Sequence, residues 1–98
     1  MKVSTQSVNF NADIKLINFV EKKLSTLTRF HDKIIGAEVF LKVQKTSDKE
    51  NKITEVKVSI PGSELIVKRE TRTFEEGVNL AAESMKRQLK RTKEKQRI

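Results

Sequence analysis

The chain has 98 residues, which is enough for one domain with a single modest hydrophobic core. It contains no cysteine, which excludes disulfides and thiolate metal sites, and we expect a cytoplasmic protein because neither a signal peptide nor a long apolar run is present. The net charge is +8, and residues 86–97 hold seven basic residues against one acidic residue. Charge gathered at one end of a domain favours a polyanionic partner.

The first part of the chain predicts a strand followed by a helix. Lys2–Val8 is rich in Val and Thr, as strands are. Asn11 or Asp13 can cap the helix, because a short side-chain oxygen accepts a free N–H of the first turn. Apolar residues then recur at the spacing of one helical face, at Leu16, Ile17, Val20, Leu24 and Leu27. We expect this helix to run to about Phe30, and residues 31–33 to form the turn that leaves it.

Three strands are predicted in the middle of the chain. Ile35–Lys45 alternates between apolar and polar residues, and the polar residues 46–51 form a loop. Glu55–Ile60 alternates in the same way. Residues 61–63 read Pro-Gly-Ser, a tight-turn signal, and Leu65 opens a strand that ends near residue 70.

The last element is predicted as an amphipathic helix from about Thr73, with Thr71 or Thr73 as its cap. Its apolar stripe consists of Phe74, Val78, Ala81, Met85 and Leu89. Gly77 costs a helix up to about 1 kcal/mol relative to Ala, so we expect a loose first turn. Because the stripe stops at Leu89 while helix-forming residues continue, the helix should extend beyond the core from about residue 90.

The predicted order is strand, helix, three strands, helix. A right-handed crossover places the first two strands parallel, and the other strands follow as an antiparallel meander. Each strand has one apolar face, so both helices are expected on the same side of the sheet. The predicted fold is therefore a single α+β domain over residues 1–98, with a four-stranded mixed sheet and two layers.

The basic residues of the last helix fall into two rows. At about 100° per residue, the first ridge lies beside the apolar stripe and consists of Lys86, Lys90, Lys93 and Arg97. The second ridge lies farther round the helix and consists of Arg87, Arg91 and Lys95. A folded RNA presents its phosphates in rows, which two basic ridges can contact.

A basic helix is often no more than a solvated surface, but the first helix carries a second basic patch. Lys22 and Lys23 lie on that helix, and Arg29 and Lys33 lie near its C-terminal end. If both helices lie on one face of the sheet, this patch borders a groove together with Lys86 and Lys90. A groove lined with charges of one sign focuses the electric field more strongly than a tail does.

Neither base reading nor catalysis is favoured by the remaining residues. Trp and Tyr are absent, and only Phe40 is expected to face away from the helices, so backbone and shape recognition is more consistent with the composition. The single histidine, His31, is interpreted as a structural or phosphate-contacting residue. Glu75 and Glu76 suit the positive end of the last helix. We expect no enzyme, cofactor or metal.

These residues resemble a known family. The last helix contains Arg87-Gln88-Leu89 followed by alternating basic residues, and a Thr-rich turn with Phe74 precedes it. The first helix contains Phe19-Val20, Lys23 and Leu27, and residues 30–34 read FHDKI. Residues 41–45, LKVQK, match the second strand of the family. In these features the chain resembles the ribosome hibernation-promoting factors, also called ribosome-associated inhibitors or protein Y.

The resemblance implies a fold similar to a double-stranded-RNA-binding domain and a function in ribosome hibernation. Such factors occupy the tRNA and mRNA channel of the small ribosomal subunit, contact its rRNA and hold ribosomes idle under stress. By resemblance, the rRNA contacts are Lys23, Arg87, Lys90, Arg91, Lys93 and Lys95. The helical arrangement adds Lys22, Lys86 and Arg97.

The expected partners are thus the small subunit, its rRNA and whole ribosomes, with no membrane and no small-molecule substrate. The length resembles that of the short members of the family, and we expect a monomer when the protein is free.

Two other hypotheses remain open at this point. The chain can be a general RNA- or DNA-binding module that does not depend on the ribosome. It can also be a basic helix that meets anionic lipid, although the stretch after Leu89 has no apolar face to insert. Competition with tRNA distinguishes an occluding ribosomal factor from a general module.

Overall fold

The computed structural model describes residues 1–45 and 49–95. The elements, in chain order, are β1 (Lys2–Val8), α1 (Ile14–Ser25), a 3₁₀ turn (Thr26–Arg29), β2 (Gly36–Val43), β3 (Lys52–Ile60), β4 (Ser63–Thr71) and α2 (Phe74–Lys95). The predicted order of strands and helices is confirmed, and the strand ends differ from the prediction by a few residues at most. Residues 46–48 of the predicted loop and Arg97 of the first ridge lie outside the described residues.

The four strands form one mixed sheet in the order β1-β2-β3-β4. β1 and β2 are parallel, and Val3 pairs with Ala37. β2, β3 and β4 are antiparallel neighbours, with Val56 paired to Val39 on one side and to Val67 on the other. The predicted crossover and meander are both confirmed.

Both helices pack on the same face of the sheet. The core contains inward residues of three strands and the apolar stripes of both helices, and its fully buried members include Leu24, Leu41, Val56, Val58, Met85 and Leu89. The described part of the chain therefore has two layers, a sheet and a pair of helices, as predicted for this α+β fold.

The first helix changes its geometry at its C-terminal end. Asp13 is its cap, since the Leu16 N–H donates to Asp13 Oδ1 at 2.8 Å. The α-helix ends at Ser25 rather than near Phe30, and a 3₁₀ turn continues to Arg29. Hydroxyl groups near this junction donate to carbonyls three residues earlier, at distances of 2.7–3.0 Å: Ser25 to Lys22, Thr26 to Lys23 and Thr28 to Ser25. Such bonds compete with the helical pattern and favour a tighter turn.

The first turn of α2 lies close against the sheet instead of being loose. Thr73 is the cap, since its Oγ1 accepts from the Glu76 N–H at 3.2 Å. Gly77 is buried, and a Cβ atom at this position would lie 2.5 Å from Thr54 Oγ1 and 2.9 Å from Thr71 Oγ1. The prediction of a loose turn was wrong, because the missing side chain is what allows α2 to approach β3 and β4 so closely.

α2 continues beyond the hydrophobic core. Leu89 is its last buried residue within the described range, and the helix runs on to Lys95. The molecule is correspondingly elongated, with principal extents of 48 × 24 × 19 Å. The end of α2 thus presents its basic side chains away from the sheet.

Candidate nucleic-acid interface

A basic cleft separates the C-terminal end of the first helix from α2. It has a volume of about 170 Å³ and is lined by Lys23, Thr26, Leu27, Arg29, Phe30, Ala82, Glu83 and Lys86. Both helices lie on one face of the sheet, which is why cations from the two ends of the chain meet here. Lys33, by contrast, is not among the residues that line this cleft.

The Phe30 ring positions two lysines on the α2 side of the cleft. Lys86 Nζ lies 4.8 Å from the centre of the Phe30 ring, and Lys90 Nζ lies 5.2 Å from it. The ring is only partly buried and packs against the hydrophobic core, so its position is fixed. A cation over a ring face gains about 0.5–1 kcal/mol at an exposed site. The ring therefore draws two charges of the first ridge towards the first helix.

Further hollows extend the basic surface to either side of the cleft. One, of about 350 Å³, is lined by Phe19, Lys22, Lys23 and Thr26. Another, of about 300 Å³, is lined by Phe30, Lys90, Lys93 and Glu94. The structure thus brings together the sequence-predicted residues Lys22, Lys23, Lys86, Lys90 and Lys93 along one continuous side of the molecule.

The second ridge lies on the other side of α2. Arg87 donates from Nη2 to Ser84 Oγ at 3.2 Å, and Ser84 also bonds Arg69 of β4. Arg91 and Lys95 continue this ridge and are exposed. The ridge therefore faces the β4 edge of the sheet, and it does not enter the cleft.

Arg69 was missed in the sequence analysis. Its side chain is on the inner face of β4, as are those of Leu65, Val67 and Thr71. The sequence could have indicated it, because Arg69 stands at a position where the alternation of this strand predicts a core residue. An inward arginine at the edge of a sheet can reach the neighbouring helix, but only the packing of α2 beside β4 reveals that it does so.

The outer face of the sheet carries a balanced set of charges. Within the four strands it presents four lysines and four glutamates, namely Lys2, Lys42, Lys57, Lys68, Glu38, Glu55, Glu64 and Glu70. Lys57 is paired in register with Glu38 and forms an ion pair with Glu64 at 3.5 Å. The outer face of the strands therefore contributes no net charge, and the excess positive charge of the chain lies elsewhere.

Two residues singled out in the sequence take structural positions. His31 is 1% exposed, and its Nδ1 accepts from the Lys33 N–H at 3.1 Å. Such burial leaves no surface for a phosphate, so of the two interpretations of His31 the structural one applies. Phe40 is half-buried on the outer face of the sheet, away from the cleft.

Residues 1–45 and 49–95 offer neither a cluster of metal ligands nor a membrane-spanning helix. No group of three or more His, Cys, Asp or Glu side chains has the arrangement of a metal site there. Within the same residues, no helix has both the length and the apolar character needed to cross a bilayer.

The amino-acid sequence is similar to those of known ribosome hibernation promoting factors. A ribosome hibernation promoting factor of Pseudomonas putida is 30% identical over 96 residues, which cover 98% of this chain and 90% of that protein. One from Azotobacter vinelandii is 29% identical over 96 residues, covering 98% and 86% of the two chains.

Solved structures have the same fold. The N-terminal domain of Thermus thermophilus Protein Y has a TM-score of 0.75 and 25% sequence identity, and the match covers 93% of this chain and 94% of that one. A ribosomal subunit interface protein from Coxiella burnetii has a TM-score of 0.79 at 23% identity, over 95% and 98% of the two chains. The model of the family described as Sigma 54 modulation protein / S30EA ribosomal protein matches residues 3–97. Since this match spans nearly the whole chain, the protein belongs to the Sigma 54 modulation protein / S30EA ribosomal protein family.

Proposed function

We propose that this protein is a ribosome-associated hibernation factor that inhibits translation by occupying the tRNA and mRNA channel of the small subunit. Its membership of the family and its similarity to relatives named ribosome hibernation promoting factor support the association with ribosomes. The position in the channel is the more specific part of the proposal, and it depends on the basic surface.

The observation that carries the proposal is the cleft between the two helices. Lys23, Arg29 and Lys86 line it together, and Lys90 and Lys93 extend it along α2. Cations that surround a concave surface can neutralise several phosphates of a folded RNA at once, whereas scattered surface charges contact them singly. The partner that suits this surface is the backbone of structured rRNA in the small subunit.

The mode of recognition follows from which side chains lie at the cleft. The cations suit phosphates, and Phe30, the only aromatic ring lining the cleft, is covered by Lys86 and Lys90. Stacking of bases on aromatic rings therefore contributes little to RNA binding. Contacts with the phosphate backbone and with the shape of the RNA contribute most. In this proposal the protein acts in the cytoplasm as a monomer without catalysis, and it inhibits by steric exclusion.

The test is co-sedimentation of the full chain with purified small subunits and with whole ribosomes across a series of salt concentrations. If about six phosphates are neutralised, the logarithm of the affinity should fall with the logarithm of salt with a slope of about −4 to −5. We expect saturation at one copy per small subunit, and loss of binding when initiator tRNA and mRNA occupy the channel.

The contrary result identifies the alternative function. Binding that does not saturate and that ignores tRNA would mean a general RNA-binding module, which recognises phosphate backbones wherever they are accessible. Equal affinity for ribosomes and for an unrelated structured RNA of similar length would support the same conclusion.

A further inference from the structure

Arg69 lies where the edge strand β4 meets α2. Its neighbours in the alternation, Val67 and Thr71, are buried, whereas Arg69 is half-buried because its long side chain reaches past the core to the helix. Arg69 Nη1 donates to the Lys68 carbonyl at 2.8 Å, and Nη2 donates to Ser84 Oγ of α2. The guanidinium group is thus held at the seam between strand and helix.

A second guanidinium group converges on the same hydroxyl. Arg87 Nη2 donates to Ser84 Oγ at 3.2 Å. In the part of the chain that the structure describes, neither arginine forms an ion pair with a carboxylate. Two like charges that share one neutral acceptor repel each other, and an anion placed between them would remove that repulsion. Each guanidinium has five N–H donors, so both retain donors for such an anion.

We propose that Arg69 and Arg87 form a phosphate-binding site for the RNA backbone, separate from the cleft. The site lies at the start of the second ridge, which Arg91 and Lys95 continue along α2. Arginine suits this position because its planar group can make two parallel hydrogen bonds to phosphate oxygens. The proposal deepens the ribosomal function proposed above and rests on it.

The two sites lie on opposite sides of α2. Lys86 points to Phe30 and the first helix, whereas Arg87 points to Ser84 and β4. A helix with its side chains is about 10–12 Å across. α2 therefore presents cations to two rows of phosphates, one on the cleft side and one on the β4 side. Contacts on both sides of α2 fix the tilt of the whole domain on the RNA, which a single row of contacts would leave free.

The test compares Arg69→Gln with Lys68→Gln in the full chain, by co-sedimentation with purified small subunits over a salt series. Both variants lose one positive charge from adjacent positions of β4, but Lys68 lies on the outer face opposite Glu55. We expect Arg69→Gln to reduce the steepness of the salt dependence by about 0.7–0.9 and the affinity at 0.1 M salt roughly fivefold to tenfold. Lys68→Gln should leave both quantities unchanged.

A purely structural role of Arg69 predicts a different pattern. If Arg69 only fastens β4 to α2, Arg69→Gln should lower the melting temperature while the salt dependence stays as in the parent chain, and this result would overturn the proposal. Arg69→Lys keeps the charge but loses the forked geometry, so we expect it to retain the parent salt dependence with only part of the affinity.

The failure of this inference is distinguishable from the failure of the proposed function. Loss of affinity on neutralising the cleft lysines, with no effect of Arg69→Gln, would refute the β4-side site alone. Absence of specific, tRNA-sensitive binding by the parent chain would refute the ribosomal function itself.

Discussion

Lys86 Nζ lies 4.8 Å from the centre of the Phe30 ring, so a charge of α2 rests on a side chain that follows the first helix. Lys90 lies over the same ring at 5.2 Å. These contacts connect α2 to the end of the first helix across the cleft, at the position that we propose to bind phosphate. The Phe30 ring therefore holds the two lysines close together at the cleft. Without the ring, the two positive charges would repel each other and their side chains would point apart.

Neutralising the α2 side of the cleft should weaken ribosome binding without unfolding the protein. The variant Lys86→Gln, Lys90→Gln, Lys93→Gln removes three of the proposed contacts to phosphate, and none of these side chains belongs to the hydrophobic core. We expect the affinity at 0.1 M salt to fall by about two to three orders of magnitude. Co-sedimentation measures this loss, and a thermal melt checks that the fold is kept.

The matched control removes three charges from the opposite side of the molecule. Lys2, Lys42 and Lys68 lie on the outer face of the sheet, and their replacement by Gln changes the net charge equally. This control should bind nearly as the parent chain does. If the two triple variants lose affinity equally, binding depends on net charge alone and not on the cleft.

Replacing Phe30 with Leu should weaken ribosome binding and lower the free energy of unfolding by about 1–2 kcal/mol. Leucine keeps most of the apolar contact with the core but offers no ring face to Lys86 and Lys90. Losing about 0.5–1 kcal/mol of cation–π interaction per lysine, about 1–2 kcal/mol for the two, limits the fall in affinity to roughly fivefold to thirtyfold. Phe40→Leu, on the outer face of the sheet, is the control, and it should bind like the parent chain. An unchanged affinity of the Phe30 variant would mean that the ring does not position these lysines.

Gly77→Ala should destabilise the fold more than its gain in helix propensity stabilises it. The added Cβ would lie 2.5 Å from Thr54 Oγ1, so α2 would have to move away from the sheet. Overpacking of this kind costs about 1–3 kcal/mol, which urea unfolding can measure. For comparison, a Cβ at Gly36 would meet only Lys2 O, at 3.4 Å, and Gly36→Ala should be tolerated. A Gly77→Ala chain more stable than the parent would show that the contact relaxes at no cost.

A carboxylate in the core should unfold the chain. Leu24 and Met85 are both 0% exposed, and Leu24→Asp or Met85→Asp would bury an unpaired charge that costs several kcal/mol. We expect far-ultraviolet circular dichroism of both variants to lack a cooperative thermal transition. Leu80→Asp is the control on α2, since Leu80 is 45% exposed and should tolerate the change. A cooperative, native-like melt of Met85→Asp would contradict the assigned core.

The features that the sequence predicted correctly are those that depend on neighbouring residues. Alternation placed β2, β3 and β4, a high content of Val and Thr placed β1, and helical spacing placed the apolar stripe from Phe74 to Leu89. Side-chain chemistry limited the first cap to Asn11 or Asp13. These signals are local, because a strand repeats every two residues and a helix about every 3.6. Within the described residues, the positions of the basic side chains along α2 were predictable for the same reason.

Other features depended on contacts between distant segments, and only the tertiary structure decided them. The sequence does not show that Arg69 bonds Ser84 or that Lys86 lies over Phe30. It also predicted a loose turn at Gly77, where the structure has close packing against Thr54. Local periodicity determines which face of an element is apolar, but not which residues of another element lie beside its polar face. The neighbours of each polar face follow from the packing of α1, α2 and β4 around one core. This packing determines the positions of the cleft and of Arg69.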